Sequence, residues 1–271
     1  MKQYILLPLL AITLISCGKG SDSSLSRVDY TSNEVSSEIE GESTTSIFLP
    51  PTEEDFVNRY LAKMSSYNTY KAVTKGSTTA KVLFIETSQS IDVTLIKSEY
   101  SYLLNESHSS FVNTVHKAYF HNNNVVYKDN DNEYKLDALS DYLNTYGVYP
   151  FDPTIEGYIC SDTSITSVEK LEVETGYAFK ISFDVEKATS NVRIQMKAFG
   201  GLDDYPSFHS INISVYTKDD LTPDYLEVNA EYNAKKGIDS ACVQNYKVTF
   251  SNFDEEIDVP NLTDIKSQFD F

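Results

Sequence analysis

Alternation of apolar and polar positions dominates the chain. Ile91, Val93 and Leu95 interleave with Asp92 and Thr94, and Tyr100, Tyr102 and Leu104 continue the period of two, the mark of strands with one buried face. "FVNTVHKAYF" and "NVVYK" read as the next two strands, separated by the turn-like His121–Asn123. Further on, "SVEKLEVETG" and "YAFKISF" predict a hairpin turning near Thr175-Gly176. "FHSINISVYT", "PDYLEVNAEY" and "ACVQNYKVTFSNF" predict three long strands. Helical spacing interrupts this pattern. Val57, Tyr60, Leu61 and Met64 form one stripe behind Thr52, an N-cap with Asp55 in capping-box relation. Leu136, Leu139, Leu143 and Tyr146 form a second, with Gly147 placed to stop it. Over residues 185–199 a strand alternation competes with a stripe at Val185, Ala188, Val192, Met196 and Phe199. Asp184 as N-cap and Gly200 as stop tip that segment toward helix. Many long strands with few helices predict an α+β fold: a curved antiparallel sheet, a half-barrel-like meander, with two or three helices packed on one face.

The N-terminus follows a different pattern. One lysine precedes an apolar run from Tyr4 to Ile15, too short for a transmembrane helix, which needs roughly 20 residues. It has the size of a signal-peptide core. The run ends in Leu14-Ile15-Ser16-Cys17-Gly18, which resembles the lipobox of bacterial lipoproteins. The resemblance implies cleavage between Ser16 and Cys17 and diacylation of Cys17 through its sulfur. Two acyl chains make a stable anchor at about 0.8 kcal/mol per buried CH₂. The expected address is the bacterial cell membrane, with the protein lipid-anchored through Cys17 and facing outside the cytoplasm. Residues 18–50 hold 9 Ser, 3 Thr and 6 acidic residues without hydrophobic period, the composition of a disordered tether, spanning roughly 30 Å as a flexible coil. The expected division is a signal peptide at 1–16, the lipidated cysteine and tether at 17–50, and a single extracytoplasmic domain at 51–271.

Charge narrows the partners. With 22 Lys+Arg against 40 Asp+Glu, formal net charge is −18. Such a surface repels phosphate backbones, so nucleic-acid binding is not expected, and it cannot hold to anionic headgroups electrostatically. Trp is absent, while Tyr reaches 20 and Phe 14, a bias toward strands.

Candidate chemistry is sparse. Asp129, Asp131 and Glu133 are spaced like the start of a calcium loop, but the sixth position is Tyr134 in place of Gly and the twelfth Ser140 in place of Glu. A polar hairpin turn is the expected reading. His108, His116, His121 and His209 show no zinc spacing and are expected at solvent-facing strand or turn positions. No nucleophile elbow, phosphate loop or dinucleotide turn occurs. Neither metal nor cofactor is expected, and the reading is non-catalytic. With Cys17 acylated, Cys160 and Cys242 are the remaining thiols. A disulfide between them would close a loop of roughly eighty residues and stabilise by about 4 kcal/mol; two buried free thiols are the alternative. Tyr142, Tyr146, Tyr149 and Phe151 form an aromatic group that could line the mouth of a ligand site or pack as core.

The order helix, strands, helix, strands, together with Tyr246, Val248, Phe250, Ser251, Phe253, Ile257, Val259 and Pro260 in the closing "YKVTFSNFDEEIDVP", resembles the lipoprotein-carrier (LolA/LppX-like) superfamily. The resemblance implies a half-barrel around helices enclosing an apolar cavity for acyl chains, with no catalytic residues. Two functions remain open. One is a monomeric binding module for a hydrophobic or lipid ligand. The other is a surface interaction or structural lipoprotein with a solid core.

Overall fold

The computed structural model describes residues 49–109, 113–146, 155, 158, 159, 163–269 and 271. The expected signal peptide, Cys17 and almost all of the expected tether lie outside them. Two meanders make up the sheet. The first contains β1 (Tyr70–Val82), β2 (Ile85–Lys97), β3 (Ser101–Ser109), β4 (Asn113–His121), β5 (Asn124–Asp129) and β6 (Lys135–Ala138). The second contains β7 (Ile165–Leu171), β8 (Tyr177–Phe183), β9 (Ser207–Thr217), β10 (Pro223–Lys236) and β11 (Ile238–Ser251). Pairing of β1 with β11, from Lys71 opposite Ser251 to Lys81 opposite Ala241, joins them into one antiparallel sheet ordered β6-β5-β4-β3-β2-β1-β11-β10-β9-β8-β7. The sheet is curved but not closed, as the alternation predicts.

Helices α1 (Phe56–Ser66), α2 (Leu139–Tyr146), α3 (Val185–Ala188) and α4 (Ser190–Gly200) contribute to the main core on the concave face. The expected capping box forms: Thr52 N–H donates to Asp55 Oδ1 at 2.7 Å, and Asp55 N–H donates to Thr52 Oγ1 at 3.4 Å. Arg59, one turn on, pairs with Asp55 at 3.3 Å. Phe56, Val57, Tyr60 and Met64 are buried, and Phe56 stacks on Phe179 of β8 with centroids 4.0 Å apart. Segment 185–199 is helical, divided at Thr189, and Asp184 caps it by accepting from the N–H groups of Glu186 and Lys187. The residue that stops it is Gly201 in the left-handed region (φ 54°), not Gly200, which stays in the last turn.

Three features differ from the sequence reading. Residues 135–138 form edge strand β6, so the second helix begins only at Leu139 and Leu136 is exposed. Strand β1 carries Lys71, Thr74, Lys75, Ser77 and Thr78, which hide its alternation. A fifth helix, α5 (Leu262–Gln268), lies on the opposite face of the sheet. Its Ile265 packs with Ile96, Tyr102, Tyr119 and Val126, all pointing away from the main core, and Tyr119 donates to the Pro260 carbonyl at 2.9 Å. No described helix is long and apolar enough to cross a membrane.

Candidate functional site

Register defines successive rows of side chains across the concave face. Phe250, Ala72, Leu95, Leu103, Ala118 and Tyr127 form an apolar row across β11, β1, β2, β3, β4 and β5. The next row is Val248, Thr74, Val93, Asn105, His116 and Asp129, and two rows further stand Gln244, Thr78 and Gln89. The interior thus passes from hydrocarbon to hydroxyl and amide toward the β1–β2 turn. Gln244, Thr78, Gln89, Ser107 and Ser240 are all buried. Among the described residues no Asp, Glu, Lys or Arg is buried. The row between contains Gly76 opposite Tyr246. A Cβ at Gly76 would collide with the Asn245 carbonyl oxygen and the Tyr246 Cβ, so β1 and β11 approach there only because the side chain is missing.

Buried polar groups normally find partners. Here the Tyr60 and Ser240 hydroxyls lie buried without a hydrogen-bond partner. Cys242, next to Ser240 on the same face, has a buried free thiol 3.7 Å from the Ser240 carbonyl oxygen. Burial pushes this thiol up to about 12, which makes it a poor nucleophile at neutral pH. Cys160 lies outside the described residues.

The sequence reading placed His116 toward solvent, and the structure corrects it. His116 shares the inward parity of Ala118 and Phe120 and is 3% exposed. Its Nδ1 is 2.7 Å from Asp129 Oδ1 and its Nε2 2.8 Å from the Tyr142 hydroxyl. Tyr146 donates to the other carboxylate oxygen of Asp129 at 2.6 Å. Burial raises the Asp129 pKa, but hydrogen bonds from His116 and Tyr146 outweigh it and hold the carboxyl below its ordinary value. Burial pushes the Tyr142 hydroxyl well above its ordinary value, so it stays protonated. Nδ1–H of His116 donates to the Asp129 carboxylate, and Nε2 and the Tyr142 hydroxyl share the second hydrogen bond. Asp129 therefore begins no calcium loop. It fastens α2 to β4 and β5.

Tyr142 is wholly buried and Tyr146 nearly so. As placed, they form an inner wall beside His116 and Tyr127, with Tyr142 and Tyr146 centroids 4.7 Å apart. Tyr149 and Phe151, the other members of the predicted aromatic group, lie outside the described residues, as do Ser16 and Cys17. The outer face of the second meander has a shallow depression of about 610 Å³ lined by Lys180, Asn212, Ser214, Glu227, Asn229 and Asn245. It is open, and Leu171, Val228 and Tyr246 also line it. No group of His, Cys, Asp and Glu suited to a metal ion occurs among the described residues.

No family model and no curated protein matches the chain. Solved structures do. LprF from Mycobacterium bovis shares 10% identity at a TM-score of 0.39, over 77% of this chain and 95% of that one. A LolA superfamily protein from Nitrosomonas europaea shares 9% at 0.29, over 78% and 96%. A DUF1329 family protein from Desulfovibrio piger shares 8% at 0.30, over 78% and 96%. These are distant likenesses, and the fold described above stands on the strand pairing of this chain.

Proposed function

We propose that this chain is a membrane-anchored extracytoplasmic lipoprotein, held through acylated Cys17, whose concave face binds a hydrophobic or lipid ligand without catalysis. The observation that carries the ligand reading is an apolar, aromatic interior holding buried hydroxyls, Tyr60 and Ser240, that the protein leaves unpaired. A bound molecule with a few polar atoms would satisfy them at little cost. The cover supports the same reading. The longest concave-side helices have 11 residues and the shortest 4, laid over strands of up to 14. Such a cover can shift while every strand stays paired. The anchor reading rests on Leu14–Cys17.

Native mass spectrometry of the purified full chain tests the proposal. Excess mass released as lipid on denaturation is the expected result. Ala234 is 4% exposed and pairs in register with Ser240, so Ala234→Phe should expel that mass while leaving the melting temperature nearly unchanged. A solid core would instead lose about 1–3 kcal/mol from overpacking, with no lipid in either form, and would leave the interaction-lipoprotein reading standing.

A further inference from the structure

We infer that the turn joining β1 and β2 is a membrane-inserting tip, its occupant the surface of a phospholipid bilayer. Val82 pairs with Ile85, so the turn is Leu83-Phe84 alone. Leu83 is 77% exposed, Phe84 98% and Ile85 49%. Leu83 also has a φ of 54°, where a bulky side chain is an outlier and where two-residue turns take Gly or Asn. The chain uses that chemistry at its other hairpins, with Asn122 at 52° between β4 and β5, Gly176 at 72° and Gly237 at 72°. Leu221 also has a positive φ, 64°, but it is buried and its packing offsets the strain. At Leu83 nothing in the fold offsets it. A strained turn presenting its largest side chains to water is explained by something outside the protein that takes them up.

The bilayer fits better than a protein partner. The tip is convex and offers a few hundred Å² at most, against about 800 Å² per partner in a stable protein interface. Register places the β10–β11 turn at the same level, because Lys81 lies opposite Ala241 and the turn closes at Lys236 and Ile238. That turn adds Ile238, 44% exposed. Lys81, Lys235 and Lys236 accompany the two tips against Glu86, Asp239, Asp203 and Asp204, of which Asp203 accepts from the Gly237 N–H at 2.6 Å and Asp204 pairs with Lys235 at 3.9 Å. In a chain of net −18, this end carries three cations against four carboxylates, so little of the charge that would repel anionic lipids sits at the tips. Insertion by apolar side chains needs no electrostatic attraction, and lysine stems can snorkel beside them. The inference does not depend on acylation of Cys17.

The chain has no Trp, so Phe84→Trp in the otherwise intact protein gives a single reporter. With vesicles of phosphatidylethanolamine and phosphatidylglycerol, its emission should shift to the blue and be quenched by brominated lipids. Water-exposed emission without quenching on vesicles that carry the anchored protein overturns insertion while leaving the anchor intact. A blue shift without lipid that grows with protein concentration overturns it in favour of a protein contact. Leu83→Asn with Phe84→Asn copies the chain's own Asn122-Asn123 turn. It should leave the melting temperature unchanged or higher while the unacylated chain from residue 18 loses roughly 10- to 100-fold in vesicle partitioning. Unchanged partitioning would refute the inference.

Discussion

His116→Ala is the most informative single perturbation of the concave face. The imidazole is 3% exposed and joins β4 to α2 through Tyr142 and to β5 through Asp129. Its removal strands the Tyr142 hydroxyl, wholly buried, without its partner, at about 1–3 kcal/mol. Lost ring packing adds about 1–2 kcal/mol, below the range for a larger Phe ring. Asp129 contributes little to the loss, because its side chain is 40% exposed and water can replace the histidine donor. The total, about 2–5 kcal/mol, should lower the melting temperature by roughly 5–20 °C for a domain of this size, followed by far-ultraviolet circular dichroism. Tyr142→Phe should cost about 1 kcal/mol, and the double variant less than the sum, since each removes the same bond. A loss below about 0.5 kcal/mol for His116→Ala would refute the role given to this network. The pH dependence has a fixed sign. The Asp129 pKa is lowered in the folded state, so its contribution is present above the ordinary carboxylate value near 3.9 and disappears as pH falls through the folded value. The stability gap between wild type and Asp129→Asn should therefore hold at pH 6 and close below about pH 4.

Cys17→Ala should release the protein from membranes or leave an unprocessed precursor; an acylated variant of mature size in the membrane fraction would sink the lipobox reading. Thiol labelling of the denatured, unreduced chain with Cys17 replaced decides between bonded and free Cys160 and Cys242, zero labels against two. With Cys242 free as placed, labelling of the folded chain at pH 7 should be slow at that residue, and fast modification would contradict its burial. Gly76→Val forces β1 and β11 apart at Tyr246 and should cost more than the 1 kcal/mol or so of ordinary strand substitutions, read by urea denaturation.

The parts legible in the sequence were those where side-chain pattern alone decides the outcome. Strands β2 to β5 and β8 to β11 bury one face against the main core, and their alternation is strong. The Thr52–Asp55 capping box and the Asp184 cap are local chemistry that tertiary contacts did not override. What escaped notice depended on partners distant in the chain. Strand β1 is mostly polar on its outer face and threaded with Thr74, Gly76 and Thr78 on its inner one, since it crosses the amide-rich end of the interior. Helix α5 is short, and its burial requires the outward side chains of Ile96, Tyr102, Tyr119 and Val126, a second apolar face whose cover comes from far along the chain. Candidate-site residues were harder still. His116 was set aside because no ligand spacing surrounds it, although its parity with Ala118 and Phe120 already pointed it inward. Asp129 was weighed against the residues following it, while its partners lie 13 and 17 positions away.

The choice of tyrosine over tryptophan and much phenylalanine bears on what the interior can hold. Tyr60, Tyr70, Tyr142, Tyr158, Tyr232 and Tyr246 are all buried in the main core. Each brings an apolar ring and one hydroxyl. Burial pushes the Tyr142 and Tyr158 hydroxyls well above their ordinary values and raises Tyr60, Tyr232 and Tyr246 as well, so all remain neutral at physiological pH. Together with Thr78, Gln89, Ser107, Ser240 and Gln244, they make an interior that contains polar groups but, among the described residues, no buried Asp, Glu, Lys or Arg. An ionised group brought inside would lose its hydration without gaining a counter-ion, at a cost of several kcal/mol. An ester or hydroxyl would lose less, since the Tyr60 and Ser240 hydroxyls are buried without a partner. For the ligand proposed here, that sets a chemical requirement: a buried portion of hydrocarbon with uncharged oxygen atoms, any phosphate or ammonium remaining in water at the rim.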